Sequence, residues 1–195
     1  MAENYLTIDV EEYFEEAPAE VAAGCESRLE DEMHRCLDIL DSTSNGATFF
    51  FLASRAKQHP GLVKEVVKAG HEVASHGLDH VFFDKLPLER QVQQANQSIE
   101  ILSELAGEGV LGFRAPYFSV NATNCELLRE LSQYGLRYDS SLFPGNHPDY
   151  GWPGTPHLPF RIDLGNDTSL LELPPTTMSV AGLRTGVGSG GYLRI

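Results

Sequence analysis

Short apolar runs alternate with amphipathic stretches along the chain. Tyr5–Val10 (Tyr-Leu-Thr-Ile-Asp-Val) is rich in β-formers and predicts a strand. Ser27 and Glu30 have the spacing of a capping box, which predicts a helix running to about Asp41. Ala47–Leu52 is continuously apolar, as expected of a strand covered on both faces. Pro60 opens a helix that Gly70 closes, and His71–Ser75 reads as a third strand. Leu88, Val92, Ala95, Ile99 and Leu102 recur at helical spacing and predict the clearest helix of the chain. Gly109–Phe113 is a fourth strand. Thr123 and Glu126 form a second capping box before Leu127, Leu128 and Leu131, and Gly135 ends that helix. Leu136–Tyr138 is a short fifth strand. From Phe143 the prolines 144, 148, 153, 156 and 159 predict an irregular loop, and Leu170–Leu173 is a last strand before a glycine-rich end. Alternating strands and helices imply an α/β fold with parallel strands joined by crossover helices. A doubly wound sheet and a barrel both satisfy this pattern.

Charge narrows the partners. Lys and Arg number 14 against 28 Asp and Glu, a formal net charge of −14. Such a surface repels nucleic-acid phosphates and anionic lipid. No strand is followed by a glycine-rich nucleotide motif. The three cysteines, Cys25, Cys36 and Cys125, form no CxxC pair and read as isolated thiols. The N-terminus lacks the basic region and apolar run of a signal peptide, and no segment is apolar for long enough to span a bilayer. A cytoplasmic protein is the simplest expectation.

Candidate chemistry falls where successive strands end, the edge at which parallel α/β folds build their sites. Asp9 and Glu11 close the first strand, His76 and His80 follow the third, Arg114 follows the fourth and Asp139 the fifth. The His76-Gly-Leu-Asp-His80 spacing would bring both imidazoles to one side of a helical turn, although such spacing also arises by chance on exposed helices. With Asp9 as third ligand the pair makes a facial metal site with open positions. Asp9 and Glu11, two apart on a strand, share a face, so one can bind the ion while the other accepts a proton. The plain alternative places Glu11 at the start of a solvated acidic run, Glu11–Glu16; that reading is strong for Glu12, Glu15 and Glu16 and weaker for Glu11. Pro116 stiffens Arg114-Ala-Pro-Tyr117, whose cation can orient a carboxylate or simply pair with Asp139. His71 reads as a core residue, and His34, His59, His147 and His157 carry no ligand signal. Trp152 suits either a sugar ring or the packing of a lid.

Together these segments resemble the polysaccharide deacetylases of carbohydrate esterase family 4. The matching stretches are Leu6-Thr-Ile-Asp-Val-Glu11, Ala47–Phe51, Gly70–His76 with His80, Arg114–Tyr117 and Tyr138-Asp-Ser-Ser141. The Asp-x-Glu form, Asp139–Pro144 and Gly190–Arg194 resemble the branch associated with exosortase-linked exopolysaccharide clusters. The resemblance implies a distorted (β/α)7-type barrel, incomplete at its C-terminus, as a single domain over residues 1–195. It implies zinc on Asp9, His76 and His80, with the base at Asp9 or Glu11. Arg114 and Asp139 would support that base, and the Tyr117 N–H would hold an oxyanion. The expected substrate is an N-acetylated glycan. Two departures stand out: most members carry adjacent aspartates where this chain has Asp9-Val10-Glu11, and no histidine after Leu171 matches the family's general acid. A cyclic-amide (allantoinase-like) hydrolase and a non-catalytic glycan-binding module are the alternatives.

Overall fold

The apolar runs become strands and the amphipathic stretches pack on them, giving an α/β fold whose strands are mostly parallel. The computed structural model describes residues 5–147, 149–180 and 183–187, so the Gly190–Arg194 stretch lies outside the described residues. Packing divides the chain into one unit of residues 1–80 and 94–110 and another of residues 81–93 and 111–195.

In the first unit β1 (Thr7–Val10), β2 (Thr48–Phe51) and β3 (Glu72–Ser75) run parallel, with β2 in the middle. Phe49, Phe50 and Phe51 are at most 1% exposed, which explains why β2 shows no alternation in sequence. Phe49 and Phe51 face one side. They pack there with Leu29, Met33 and Leu40 of helix α2 (Leu29–Thr43) and Leu62, Val63 and Val66 of helix α4 (Pro60–Lys68). Leu102 of helix α5 (Leu88–Ala106) joins the same core. Each buried Phe or Leu contributes roughly 1.5–3 kcal/mol. Two short helices, α1 (Ala19–Ala22) and α3 (Ala53–Gln58), lay outside the sequence reading. They are four and six residues long, too short for a 3.6-residue period to declare itself.

In the second unit β4 (Gly112–Phe113), β5 (Tyr138–Asp139) and β7 (Thr168–Glu172) are parallel neighbours, and β6 (Phe160–Gly165) pairs antiparallel with β7. β8 (Thr177–Val180) pairs antiparallel with β9 (Leu183–Gly186) as a separate two-stranded sheet. Helix α6 (Glu126–Gln133) buries Leu127, Leu128 and Leu131. β6 corrects the expected loop. Phe160, Ile162 and Leu164 alternate with Arg161 and Asp163, a half-buried strand pattern hidden among the prolines. Asn166 and Asp167, at φ 52° and 57°, form the tight turn into β7.

Neither capping box forms. Leu29 N–H does reach Ser27 Oγ at 3.3 Å, but the helix begins one residue after Arg28 without a side-chain cap. The Thr123 hydroxyl is instead taken up by Asn121 Oδ1 at 2.7 Å. Among the described residues no helix is long and apolar enough to cross a membrane.

Candidate metal centre and a serine–carboxyl network

Three donors converge in the first unit. Glu11 directly follows β1, His76 directly follows β3, and His80 lies four residues on; their ligand atoms all fall within 4.8 Å of one another. Glu11 Oε2 stands 2.8 Å from His80 Nε2 and 3.8 Å from His76 Nε2. Both imidazoles are buried, with side chains 3% and 6% exposed, whereas the Glu11 side chain is one-third exposed.

A loop, rather than the expected helical turn, brings the histidines together. The His76 N–H donates to Phe51 O at 2.8 Å, continuing the ladder one step beyond β3. The chain then turns at Gly77, whose φ of 86° suits glycine. Gly77 O accepts the Ala53 N–H (2.9 Å) and the Ser98 hydroxyl (3.0 Å), and Leu78 O accepts the Ser54 N–H (3.0 Å). The turn is thus fixed from α3 and α5, leaving the two rings 5.6 Å apart.

The donor set suits a divalent cation. Glu11 Oε2 is buried, and despite its closeness to both rings it has no hydrogen bond of acceptable geometry. One carboxylate oxygen and two imidazole nitrogens form a familiar facial set for zinc and similar ions. The carboxylate in that set is Glu11. Asp9, the ligand expected from sequence, is half-buried within β1 and stands outside the trio. Burial is the largest influence on His80 and opposes its protonation, yet the Glu11 carboxylate, helped by the charges of Glu15 and Glu16, holds its pKa above the ordinary histidine value.

The acidic run is only partly the solvated loop that composition suggested: Glu16 is exposed, but Glu12 and Glu15 are not. Glu12 is 4% exposed, and Glu15 grips Arg55 of α3 with both oxygens, at 2.5 Å to Nε and 3.0 Å to Nη2. The Arg55 guanidinium also lies 5.9 Å from the Phe14 ring centroid. A two-pronged pair with a partly buried arginine anchors the segment beside Glu11. Of the other histidines, His34 pairs with Glu65 and His59 with Glu30, each at 2.9 Å; His71 packs against Phe49 but is only half-buried, and its Nδ1 lacks the hydrogen bond expected of a core histidine.

The second unit gathers Arg114, Asp139 and a residue that sequence reading missed, Glu172. Arg114 is 5% exposed, and its Nη2 donates to Ser140 Oγ at 2.7 Å. Ser140 Oγ in turn donates to Leu173 O (2.7 Å). Ser141 Oγ donates to Asp139 Oδ1 (2.7 Å) and accepts the Ala115 N–H (2.8 Å), and the Ser141 N–H donates to Asp139 Oδ2 (3.0 Å). Asp139 and Glu172 end neighbouring parallel strands as register partners, and both are fully buried. Burial pushes both carboxyls up, Glu172 well above the usual range because the Asp139 charge adds to the effect.

Beyond Pro116, Tyr117 and Phe118 hold φ of 57° and 47°, a left-handed pair that costs of order 1–3 kcal/mol per residue. The Tyr117 ring stacks on Phe82 at 3.8 Å and 1°. Trp152 lines a cavity of about 560 Å³ with Leu128, Arg129, Leu142 and Ile162.

The sequence matches the family model described as polysaccharide deacetylase over residues 11–138, and a model described as a domain of unknown function (DUF3473) over residues 140–195. It is similar to the chitooligosaccharide deacetylase of Sinorhizobium fredii, at 38% identity over 84 residues, covering 42% of this chain and 38% of that protein. Among solved structures, a protein of Mycobacterium smegmatis provisionally described as a polysaccharide deacetylase superposes with a TM-score of 0.69 at 27% identity, covering 88% of this chain and 58% of that one. PuuE allantoinase superposes at 0.65 with 19% identity, covering 88% and 61%, which is a likeness of fold alone. The chain spans less than half the length of the first curated relatives, at 19%, 38% and 49%.

Proposed function

Because the chain belongs to the polysaccharide deacetylase family, we propose that it hydrolyses N-acetyl groups on an amino-sugar polymer, in bacterial exopolysaccharide synthesis. Glu11, His76 and His80 would hold a divalent cation, with zinc the best match to the donor set. When bound, that ion supplies Lewis acidity that makes water nucleophilic near neutral pH and polarises a carbonyl.

The chain's own residues divide the remaining work. With Glu11 facing the two imidazoles, the proton-accepting role passes to Asp9, which strand alternation places on the same face of β1. This reverses the assignment of Asp9 as ligand. For Arg114 and Tyr117 the proposal keeps only what the resemblance implies, a supporting cation and a backbone N–H suited to a developing oxyanion. The left-handed backbone at Tyr117 fits the second role, because strain of this kind gathers at working sites. Asp139 supports the Arg114 loop through Ser141.

One observation carries the reading: a carboxylate and two imidazoles from two strand ends meet within 4.8 Å inside the family-matching segment. The test is acetate release from chitooligosaccharides by zinc-loaded protein, with allantoin as the competing substrate. Acetate from the sugars supports the proposal. Ring opening of allantoin without acetate transfers the site to cyclic amides, and sugar binding with neither product makes the chain a binding module.

A further inference from the structure

We infer that Glu172 is a positioning residue: it carries one proton that it donates to Asp139, and this shared proton holds the turn bearing Arg114 and Tyr117 in its working shape. The role of that turn rests on the deacetylase reading above; the proton itself does not.

The argument begins with register. Asp139 and Glu172 are the last residues of β5 and β7 and partner each other across a parallel ladder, so their side chains rise from the same face. Both are 0% exposed. Two carboxylates so placed cannot both be charged without a large penalty.

The available donors decide which one keeps the proton. Asp139 receives two hydrogen bonds, from the Ser141 hydroxyl and the Ser141 N–H. Glu172 receives one, from the Leu142 N–H to Oε1 at 3.1 Å. Among the described residues nothing donates to its Oε2. A proton on Glu172 lets Oε2 donate to its carboxyl neighbour, and Asp139, with more donors around it, remains the anion. The nearby Arg114 guanidinium favours the ionised form of each group, but burial outweighs it at both. Across the other edge of β7, Glu172 faces Phe160 of β6, which bears no charge.

The state of the pair reaches the turn through two serines. Asp139 fixes the Ser141 hydroxyl, and the same oxygen accepts the N–H of Ala115, the residue between Arg114 and Pro116. Ser140 joins Arg114 to Leu173 O, one residue beyond Glu172. Ionising Glu172 places a second charge against Asp139. That charge pulls on the Ser141 anchor just where Tyr117 and Phe118 hold a left-handed backbone that needs support.

The sign of the pH dependence follows from the raised pKa. The folded chain binds this proton more tightly than the unfolded chain, so its stabilisation is complete below the ordinary glutamate range and is lost as pH rises through the folded pKa of the pair.

The experiment compares wild type, Glu172→Gln and Glu172→Leu as metal-loaded full chains, recording kcat, KM and thermal midpoint from pH 4 to 10. The Gln amide can still donate to Asp139 without titrating. It should therefore keep kcat within about threefold of wild type at pH 7 and lose less activity and midpoint as pH rises, whereas Leu should lower kcat on the order of 10–100-fold with a smaller change in KM. Identical pH profiles for wild type and Gln, or full activity in the Leu variant, would overturn the inference. If wild type releases no acetate at all, the deacetylase reading fails separately. The thermal midpoints then decide alone: a wild-type decline with rising pH, beginning in the ordinary glutamate range, that Gln abolishes upholds the shared proton, and parallel declines refute it.

Discussion

At the scale of single residues, Asp9 and Glu11 carry the sharpest distinction, because the proposed reading divides two acids on one face of a strand end into a ligand and a base. Glu11 Oε2 sits within 3.8 Å of both imidazoles, so the account makes it the ligand. Glu11→Ala should bind zinc far more weakly, since an interior ion depends on every ligand's charge and geometry. Asp9→Asn should keep stoichiometric zinc and lose about 10²- to 10⁴-fold in acetate release, the usual contribution of a general base. Zinc content by elemental analysis separates the two, and loss of zinc from Asp9→Asn with retention in Glu11→Ala would reverse the assignment. The network around Arg114 works through hydroxyls: Ser140 and Ser141 each bridge a strand end to the Arg114–Tyr117 turn, so their oxygens transmit position more than charge.

At the scale of elements, the site is held by segments that themselves need anchoring. The Glu15–Arg55 pair ties the acidic segment after β1 to α3, while the backbone of α3 receives the loop of His76 and His80. Arg55→Ala should weaken zinc binding severalfold and destabilise the fold by about 1–3 kcal/mol, because it leaves a mostly buried carboxylate unpaired. Calorimetric zinc titration beside urea unfolding checks both, and unchanged zinc affinity would detach the segment from the site. In the other unit β4 and β5 meet closely: a Cβ on Gly112 would lie 2.1 Å from the Tyr138 ring. Gly112→Ala should therefore cost about 1–3 kcal/mol in urea unfolding, the usual range for overpacking.

Strand ends were legible in the sequence because apolar runs break there, and Glu11, His76, His80, Arg114 and Asp139 lie at or just beyond them. Periodicity could not supply the route between His76 and His80, which depends on a positive φ at Gly77 and on acceptors used by α3 and α5. Nor could it reveal Glu172, whose meaning comes from β5–β7 register, a pairing between distant segments. β6 was readable from its alternation but was masked by the surrounding prolines.

At the scale of the whole molecule, a net charge of −14 turns away polyanions and is compatible with a neutral N-acetylated polymer. Ligands drawn from two separate strand ends also make the ion a cross-link that exists only in the folded chain. Zinc at one hundred times its dissociation constant should therefore add about 2.7 kcal/mol to stability, read as a rise in thermal midpoint that a chelator reverses. The most direct test of the central claim joins that ion to the chemistry: zinc content and acetate release from chitooligosaccharide, measured on the same preparations of wild type and His76→Ala. The account predicts one zinc per chain and acetate from wild type, with both lost together in the variant. Full zinc occupancy in His76→Ala, or acetate release undiminished without the metal, would contradict it.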